Sequence, residues 1–346
     1  MARRPRKTQA SDMRMEDIAK MAGVAKSTVS RALADSDQVS ASTKARIRQI
    51  ASEYNYRLNV AARDFRLRQT RTVKVMVPLG AAGLPMFTDP FVMELTASLA
   101  DTLSERNYNM LLSKIALSSP EMIRDAFDTR NVEGLIVIGQ RRFHNDLNEM
   151  AQSKVPLVVW GAQFDDQLYC TVGGDNVAGA RRATEHLLKL GRRRIAFLGD
   201  CKDAEPNLRF DGYRSALERA GVPFDESLVI PTAYDRLAGH AAVSRHIEDG
   251  PPFDALFGTT DLLAMSAISA LHDHGANVPS DVAVVGYDDI TLASYFSPAL
   301  TTIRQDISRA SQLLVDKALS MIAGESAESE TLPTELVIRK SCGAMG

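Results

Sequence analysis

Apolar positions along the chain repeat in two different ways, and the change falls near residue 72. Over residues 13–57 the spacing is helical: Met15, Ile18, Ala19 and Ala22 fall at i, i+3, i+4 and i+7. Gly23 ends that helix by supplying the left-handed backbone of a sharp turn, and Val24 is expected to be buried there. A second helix is predicted from Lys26 to Leu33, with Val29, Ala32 and Leu33 inward. The loop ADSDQVS leads to Ser40 as an N-cap, then to a third helix through Tyr54 with Ile47, Ile50, Ala51 and Tyr54 inward. From Val73 onward the pattern becomes short, nearly continuous apolar runs at 73–78, 108–115, 134–139, 157–161, 194–199, 255–259 and 282–289. Helical stretches such as 91–105, 178–190, 209–220 and 261–274 lie between them. Strands alternating with helices in this way predict parallel sheets built from right-handed βαβ crossovers and buried on both faces. So long a stretch exceeds one such sheet, so two α/β lobes are predicted.

Charge separates the same two parts. Residues 1–71 hold 16 Lys+Arg against 7 Asp+Glu, while the rest of the chain holds 25 against 36, within a formal net charge of −2. A small basic head on an acidic body points the head toward a polyanion. Residues 1–12 form a basic tail, and the arginine-rich stretch 58–71, LNVAARDFRLRQTR, is too poor in apolar residues to bury a face of its own. No apolar run is long enough to cross a bilayer, and no apolar segment follows the basic start, so neither a membrane partner nor export is expected. Three scattered cysteines without a CxxC pair argue against a disulfide framework or a cysteine-built metal site, and a reducing, cytoplasmic setting follows.

Two helices joined by a short turn containing Gly make a helix-turn-helix, whose second helix enters the major groove of DNA N-terminus first. Lys26, Ser27, Thr28, Ser30 and Arg31 lie on the polar face of that helix, and hydroxyls and cations there suit phosphates and base edges. The pattern also fits a plain three-helix scaffold. In the body, ligands of open α/β sheets bind beyond the carboxyl ends of strands. Leu79, Trp160, Gly161, Gln163, Asp175, Asp200, Thr260, Asp261, Asp288 and Asp289 fall there. No GxSxG, GxGxxG, GxxxxGK[ST] or HExxH motif occurs, and the histidines of HDH at 272–274 are two residues apart, on different helix faces. No enzyme, cofactor or metal is expected.

The segments MEDIAKMAGVAKSTVSRAL and VSASTKARIRQIASEYNYRLN resemble the headpiece of the LacI/GalR family of bacterial transcription regulators. VGGDNVAGARRATEHLLKLGRRRIAFLGD, RFDGYRSAL, DALFGTTDLLAMSAISAL and VPSDVAVVGYDDITLASYFSPALTTIRQDI resemble its core. The resemblance implies an α/β fold with an N-terminal three-helix headpiece at 13–57, a hinge at 58–71 and a two-lobed core at 72–346 of type I periplasmic-binding-protein-like architecture. Its lobes would comprise about 72–170 with 303–328, and 171–302 with 329–346. It also implies a homodimer on a pseudo-palindromic operator, with Lys26 and Ser27 choosing bases. Thr28, Ser30, Arg31, Gln38, Ser40 and Asn59 would hold the DNA register. Ala62, Arg63 and Phe65 would form a hinge helix, with Phe65 as a minor-groove wedge. By the same resemblance Leu79, Asp89, Phe91, Trp160, Arg209, Tyr234, Thr260, Asp288 and Gln305 line a cleft for a small effector. A repressor released by a small sugar or oligosaccharide is expected, with a corepressor-dependent repressor or an activator sensing a purine or other metabolite as the alternative; a sugar-binding transport protein lacks the basic head. The chain departs from the family pattern at Arg14, Ala25 and Leu58, at Thr260 in place of Asn, and at Trp160-Gly161 where a carboxylate can follow the strand.

Overall fold

The computed structural model describes residues 13–33, 35–54, 56, 70–78, 89–115, 132–140 and 143–344. Two compact units emerge, residues 1–70 and 71–346. In the first, α1 (Met15–Met21), α2 (Lys26–Leu33) and α3 (Ala41–Glu53) close on Ile18, Ala19, Ala22, Val29, Ala32, Val39, Ile47 and Ala51. Gly23 has φ +60, as the turn between α1 and α2 requires. The Arg14 side chain makes no capping hydrogen bond, but the Asp17 carboxylate accepts from the Arg14 backbone N–H at 3.0 Å, the other half of a capping box. Ser40 caps α3 by accepting from Thr43 N. Two expectations for this unit are corrected. Tyr54, at the end of α3, is exposed, because the chain turns and Tyr56 packs on the core instead. Val24 is half-buried rather than buried, since the turn is only partly covered.

The second unit contains two six-stranded sheets. The first is built from β1 (Thr72–Pro78), β2 (Asn109–Ile115), β3 (Gly134–Ile138), β4 (Leu157–Trp160), β5 (Cys170–Gly174) and β11 (Glu330–Leu332), in the order β11-β5-β4-β3-β1-β2. All its pairs are parallel. The second sheet has β6 (Ile195–Leu198), β7 (Val229–Ile230), β8 (Ala255–Gly258), β9 (Ala283–Asp288), β10 (Thr301–Arg304) and β12 (Glu335–Val337), in the order β12-β10-β9-β8-β6-β7. It is parallel except for β12, which runs antiparallel to β10. Helices α4 (Pro90–Glu105), α5 (His144–Gln152) and α11 (Ile307–Ile322) belong to the first lobe. The second lobe carries α6 (Asn176–Lys189), α7 (Ala204–Arg219), α8 (Arg236–Asp249), α9 (Asp261–Asp273) and α10 (Thr291–Tyr295). No described helix is long and apolar enough to cross a membrane.

The chain passes between lobes at Asp175, at Gln305–Asp306 and at Pro333–Thr334. The expected lobe limits shift accordingly: β5 extends the first lobe to Gly174, and β11 returns residues 330–332 to the first sheet. The short strands β5, β7, β10, β11 and β12 carry no long apolar run, which hides them in the sequence. In β10, Thr301 and Thr302 stand fully buried where aliphatic residues would be expected. Helix α7 lies close on α6 because Gly212 has no side chain; a Cβ there would stand 2.3 Å from the Val177 carbonyl oxygen. This close approach sets the height of Arg209, three residues earlier on α7.

Candidate functional site

In the headpiece, Val29 and Ala32 fix which face of α2 turns outward. Lys26, Ser27 and Arg31 are exposed, while Thr28 and Ser30 are half-buried at its edge. Gln38 and Ser40 are exposed in and after the following loop. The structure therefore gathers Lys26, Ser27, Thr28, Ser30 and Arg31 on one short helix with its N-terminus free of any capping side chain at Ala25. Lys26 is not idle: its Nζ lies 2.5 Å from Glu16 Oε1 of α1, and that contact lowers the Glu16 pKa. Asn59, Ala62, Arg63 and Phe65 lie outside the described residues, as does Leu79.

Between the lobes lies a cleft. Asp89, Phe91, Trp160, Arg209, Tyr234, Thr260, Asp288 and Gln305 all line it, brought together from both lobes and one crossing. Asp89 caps α4 by accepting from Phe91 N at 2.9 Å, which sets Phe91 at the cleft wall. The Phe91 and Trp160 rings stand 5.8 Å apart and form an apolar floor in the first lobe. Thr260 caps α9, its oxygen accepting from Leu263 N at 3.2 Å, which leaves the hydroxyl proton to donate elsewhere.

The opposite wall is ionic. Arg209 is buried, with its guanidinium 3.7 Å over the Tyr287 ring centroid. Its Nε donates to Asn176 Oδ1 at 2.8 Å, Nη1 donates to the Thr259 carbonyl, and Nη1 lies 3.7 Å from Asp288 Oδ1. That geometry fixes the plane of the guanidinium before any ligand arrives. Asp288, the last residue of β9, has φ +120 and accepts from Gln305 Nε2 at 2.9 Å. Burial raises the Asp288 pKa well above the usual carboxylate range, against the pull of Arg209. Its neighbour Asp289 faces away, held by Arg339 at 2.6 Å and Arg304 at 2.7 Å. This double ion pair anchors the strained loop that presents Asp288.

Other strand-end residues have structural work. Asp175 caps α6. Asp200 accepts from Lys202 N in a turn. Gln163 is exposed, and Gly161 packs on the first sheet. Asp261 is fully buried, accepting from Ile290 N at 2.9 Å and from the Thr302 hydroxyl, and burial pushes its pKa up to about 8. Unfolded, this acid ionises near 3.8; folded, it keeps its proton, so its contribution to stability falls as pH rises from about 4 to about 8, by ~1 kcal/mol per pH unit. Asp261→Asn is expected to flatten the dependence of the urea midpoint on pH over that range. The Thr302 hydroxyl can turn to accept from the new amide, so the fold is kept. An unchanged slope would show that Asp261 titrates normally.

The sequence reading missed Val92, Ile138, Gly139, Asp203 and Glu205, which also line the cleft. Asp203 and Glu205 open α7 and read as ordinary helix-start acids; their signal was Glu205 one turn before Arg209. The lobes are further linked by Glu94 of α4, which accepts from Thr291 N at 2.9 Å at the start of α10. Among the described residues no group of His, Cys, Asp and Glu could hold a metal ion; in HDH, Asp273 pairs with His240 and His274 with Glu248.

The model for bacterial regulatory proteins of the lacI family matches residues 14–59, and that for a periplasmic binding protein-like domain matches residues 184–342. The chain is 32% identical over 333 residues to the HTH-type transcriptional regulator CelR of Thermobifida fusca, covering 94% of this chain and 97% of CelR. It is 30% identical over 348 residues to the HTH-type transcriptional repressor CytR of Escherichia coli, covering 98% and 99%. Among solved structures, it is similar to a CelR–cellobiose complex (TM-score 0.71, 30% identity, 95% of this chain and 100% of that one). It is also similar to the lac repressor dimer bound to operator and the anti-inducer ONPF (TM-score 0.84, 25% identity, 96% and 99%).

Proposed function

The chain belongs to the LacI family of bacterial regulatory proteins, ligand-responsive regulators that bind DNA, and from that premise we propose that it is a repressor released from its operator by a neutral saccharide. The observation that carries the ligand class is the cleft itself. A preset guanidinium and carboxylate, Arg209 and Asp288, face an aromatic floor, Phe91 and Trp160. Vicinal hydroxyls bond both charged groups at once, and the apolar face of a sugar ring covers the aromatic floor. The CelR–cellobiose complex supports a saccharide over a purine. Asp89, Tyr234, Thr260 and Gln305 complete the ligand's surroundings, with Leu79 from the first lobe.

In this reading two copies act together in the cytoplasm. An apolar groove between α8, α9 and α10 carries Met265, Leu292, Tyr295 and Phe296, with Leu292 54% and Tyr295 81% exposed. A second copy covers that groove, so each headpiece reads one half of a pseudo-palindrome. Lys26, released from Glu16, and Ser27 choose bases; Thr28, Ser30, Arg31, Gln38, Ser40 and Asn59 hold register. The segment around Ala62, Arg63 and Phe65 bends the centre of the site. Saccharide closes the lobes and alters how the two cores pair, a coupling of ~1–3 kcal/mol.

A thermal-shift screen of neutral saccharides, uronates and nucleobases on the purified full chain tests the ligand. A saccharide at about 100 times its Kd is expected to add ~2.7 kcal/mol. A response to nucleobases alone would replace the saccharide reading. The reading helix is tested separately. Exchanging Lys26 and Ser27 for other residue types is expected to change the site selected from random DNA, by ~1–3 kcal/mol per altered base pair. Selection of the same site by the exchanged protein would leave those two residues without a base-reading role.

A further inference from the structure

The exposed N-terminal ends of α1 and α2 meet in one ion pair. Lys26 Nζ lies 2.5 Å from Glu16 Oε1, with 45% of the lysine side chain and 54% of the glutamate side chain open to solvent. The contact with Lys26, aided by Arg14, holds the Glu16 carboxyl below its ordinary range. Building the three-helix unit falls to other residues. Asp17 caps α1 through the Arg14 N–H, and Ile18 and Ala19 supply its share of the core. An acid therefore stands at the mouth of the reading helix, on the lysine assigned to choose bases, in a headpiece that is otherwise rich in cations.

The two surfaces that DNA offers treat this pair differently. A phosphate carries acceptors and no donors. If Lys26 leaves Glu16 for a phosphate, the carboxylate is left without a partner beside a polyanion. The major-groove edge of a base pair carries both kinds of group: guanine O6 and N7 accept, and cytosine N4 or adenine N6 donates. A lysine and a carboxylate held side by side can each exchange the other for a base there. The pair thus opens at a cost on the backbone and at little cost on a suitable base edge.

We infer that Glu16 is a specificity-determining residue of the headpiece: it holds Lys26 off phosphates and yields it only to a base edge that also offers an amino group. This rests on the assignment of Lys26 to base reading. Glu16 acts through that lysine and is a positioning residue. Its effect falls on non-specific binding, where the pair must be broken without return. Exposed pairs are weak, so each headpiece gains about three- to fivefold in discrimination, and two headpieces together gain about ten- to twenty-fivefold.

The test is fluorescence anisotropy of the full-length protein on two duplexes of equal length, an operator obtained by selection from random DNA and a scrambled sequence, over a range of salt concentrations. Glu16→Gln is expected to tighten binding to the scrambled duplex about tenfold or more, with operator affinity kept within about threefold. The salt dependence on the scrambled duplex should steepen by ~0.9 per headpiece, as the freed Lys26 takes a phosphate. In a Lys26→Gln background the same Glu16→Gln change should leave the scrambled-duplex affinity within about twofold, because no cation remains to be freed. A merely structural acid would shift both affinities together and leave their ratio unchanged, which overturns the inference. An equal tightening with and without Lys26 also overturns it, since the effect is then one of net charge. In both cases Lys26→Gln alone still weakens operator binding. Lys26→Gln with wild-type affinity for both duplexes instead overturns the base-reading role of Lys26, and the role of Glu16 with it.

Discussion

Asp288→Ala is expected to leave operator affinity within about twofold and to weaken effector binding ~100-fold or more. The carboxylate is the only described acceptor placed at once against Arg209, 3.7 Å away, and Gln305, 2.9 Å away. Its loss removes a ligand contact and leaves the buried guanidinium without its nearest acidic partner. Breaking one side of a buried pair costs on the order of 3–5 kcal/mol, so the core should also unfold at lower urea concentration. Alanine adds backbone strain at φ +120, which Asp and Asn tolerate better. Asp288→Asn therefore separates the two effects: it keeps an acceptor for Gln305 and the loop conformation, yet lacks the charge. Fluorescence anisotropy on an operator obtained by selection, titrated with cellobiose, reads both affinities. An Asn variant that still releases DNA at the wild-type effector concentration would take Asp288 out of the ligand's reach.

The same residues show which parts of the site could be seen in the sequence. Asp288 ends β9 and Thr260 follows β8, strands whose other residues are apolar or Gly apart from Tyr287, so their places at strand ends were plain. Gln305 sits at a crossing behind β10, whose buried Thr301 and Thr302 read as polar; only the family resemblance pointed to it. Conversely, Asp175, Asp261 and Asp289 sit at strand ends and look alike in sequence, but the structure commits them to a helix cap, a buried hydrogen-bond pair and a double ion pair. A strand-end carboxylate becomes a ligand contact only when its protein partners leave it facing the cleft, as they do for Asp288. That depends on residues 50 or more positions away, such as Arg339 for Asp289. Glu205 failed to stand out for the opposite reason: its position in the first turn of α7 is where an acid is stabilising anyway.

The link from cleft to groove is equally invisible in sequence. Ile290 opens α10 with no side-chain cap, and the cap is supplied by Glu94 from the other lobe, 197 residues earlier. Asp261 holds the Ile290 N–H from below. The loop carrying Asp288 thus runs directly into the helix that bears Leu292 and Tyr295, so a shift between lobes that moves α4 also moves part of the proposed pairing face. This gives the proposed response a physical path: lobe closure, then α10, then the pairing of two copies.

In the headpiece the largest effect is expected from Arg31→Ala, which should weaken binding to every DNA sequence roughly tenfold per headpiece and lower the salt dependence by about 1 per headpiece. Three neighbouring cations provide the contrast. Arg46 donates to the Ala22 carbonyl at 2.5 Å and so closes the end of α1; Lys44 and Arg48 hold Asp35, at 3.1 and 2.6 Å. These are occupied in building the three-helix unit. Arg31 is exposed on the outer face of α2 and has no hydrogen-bond or ion-pair partner among the described residues. A cation that the fold does not use, on the helix whose opposite face is Val29 and Ala32, is placed to meet a phosphate and release its counterions. Arg46→Ala should instead lower the thermal stability of the headpiece, with little change in the slope of log K against log salt. The two variants thus move different quantities. If Arg31→Ala leaves the salt slope at the wild-type value while Arg46→Ala reduces it, the DNA-facing surface lies on α3 rather than α2, and the assignment of the reading helix fails.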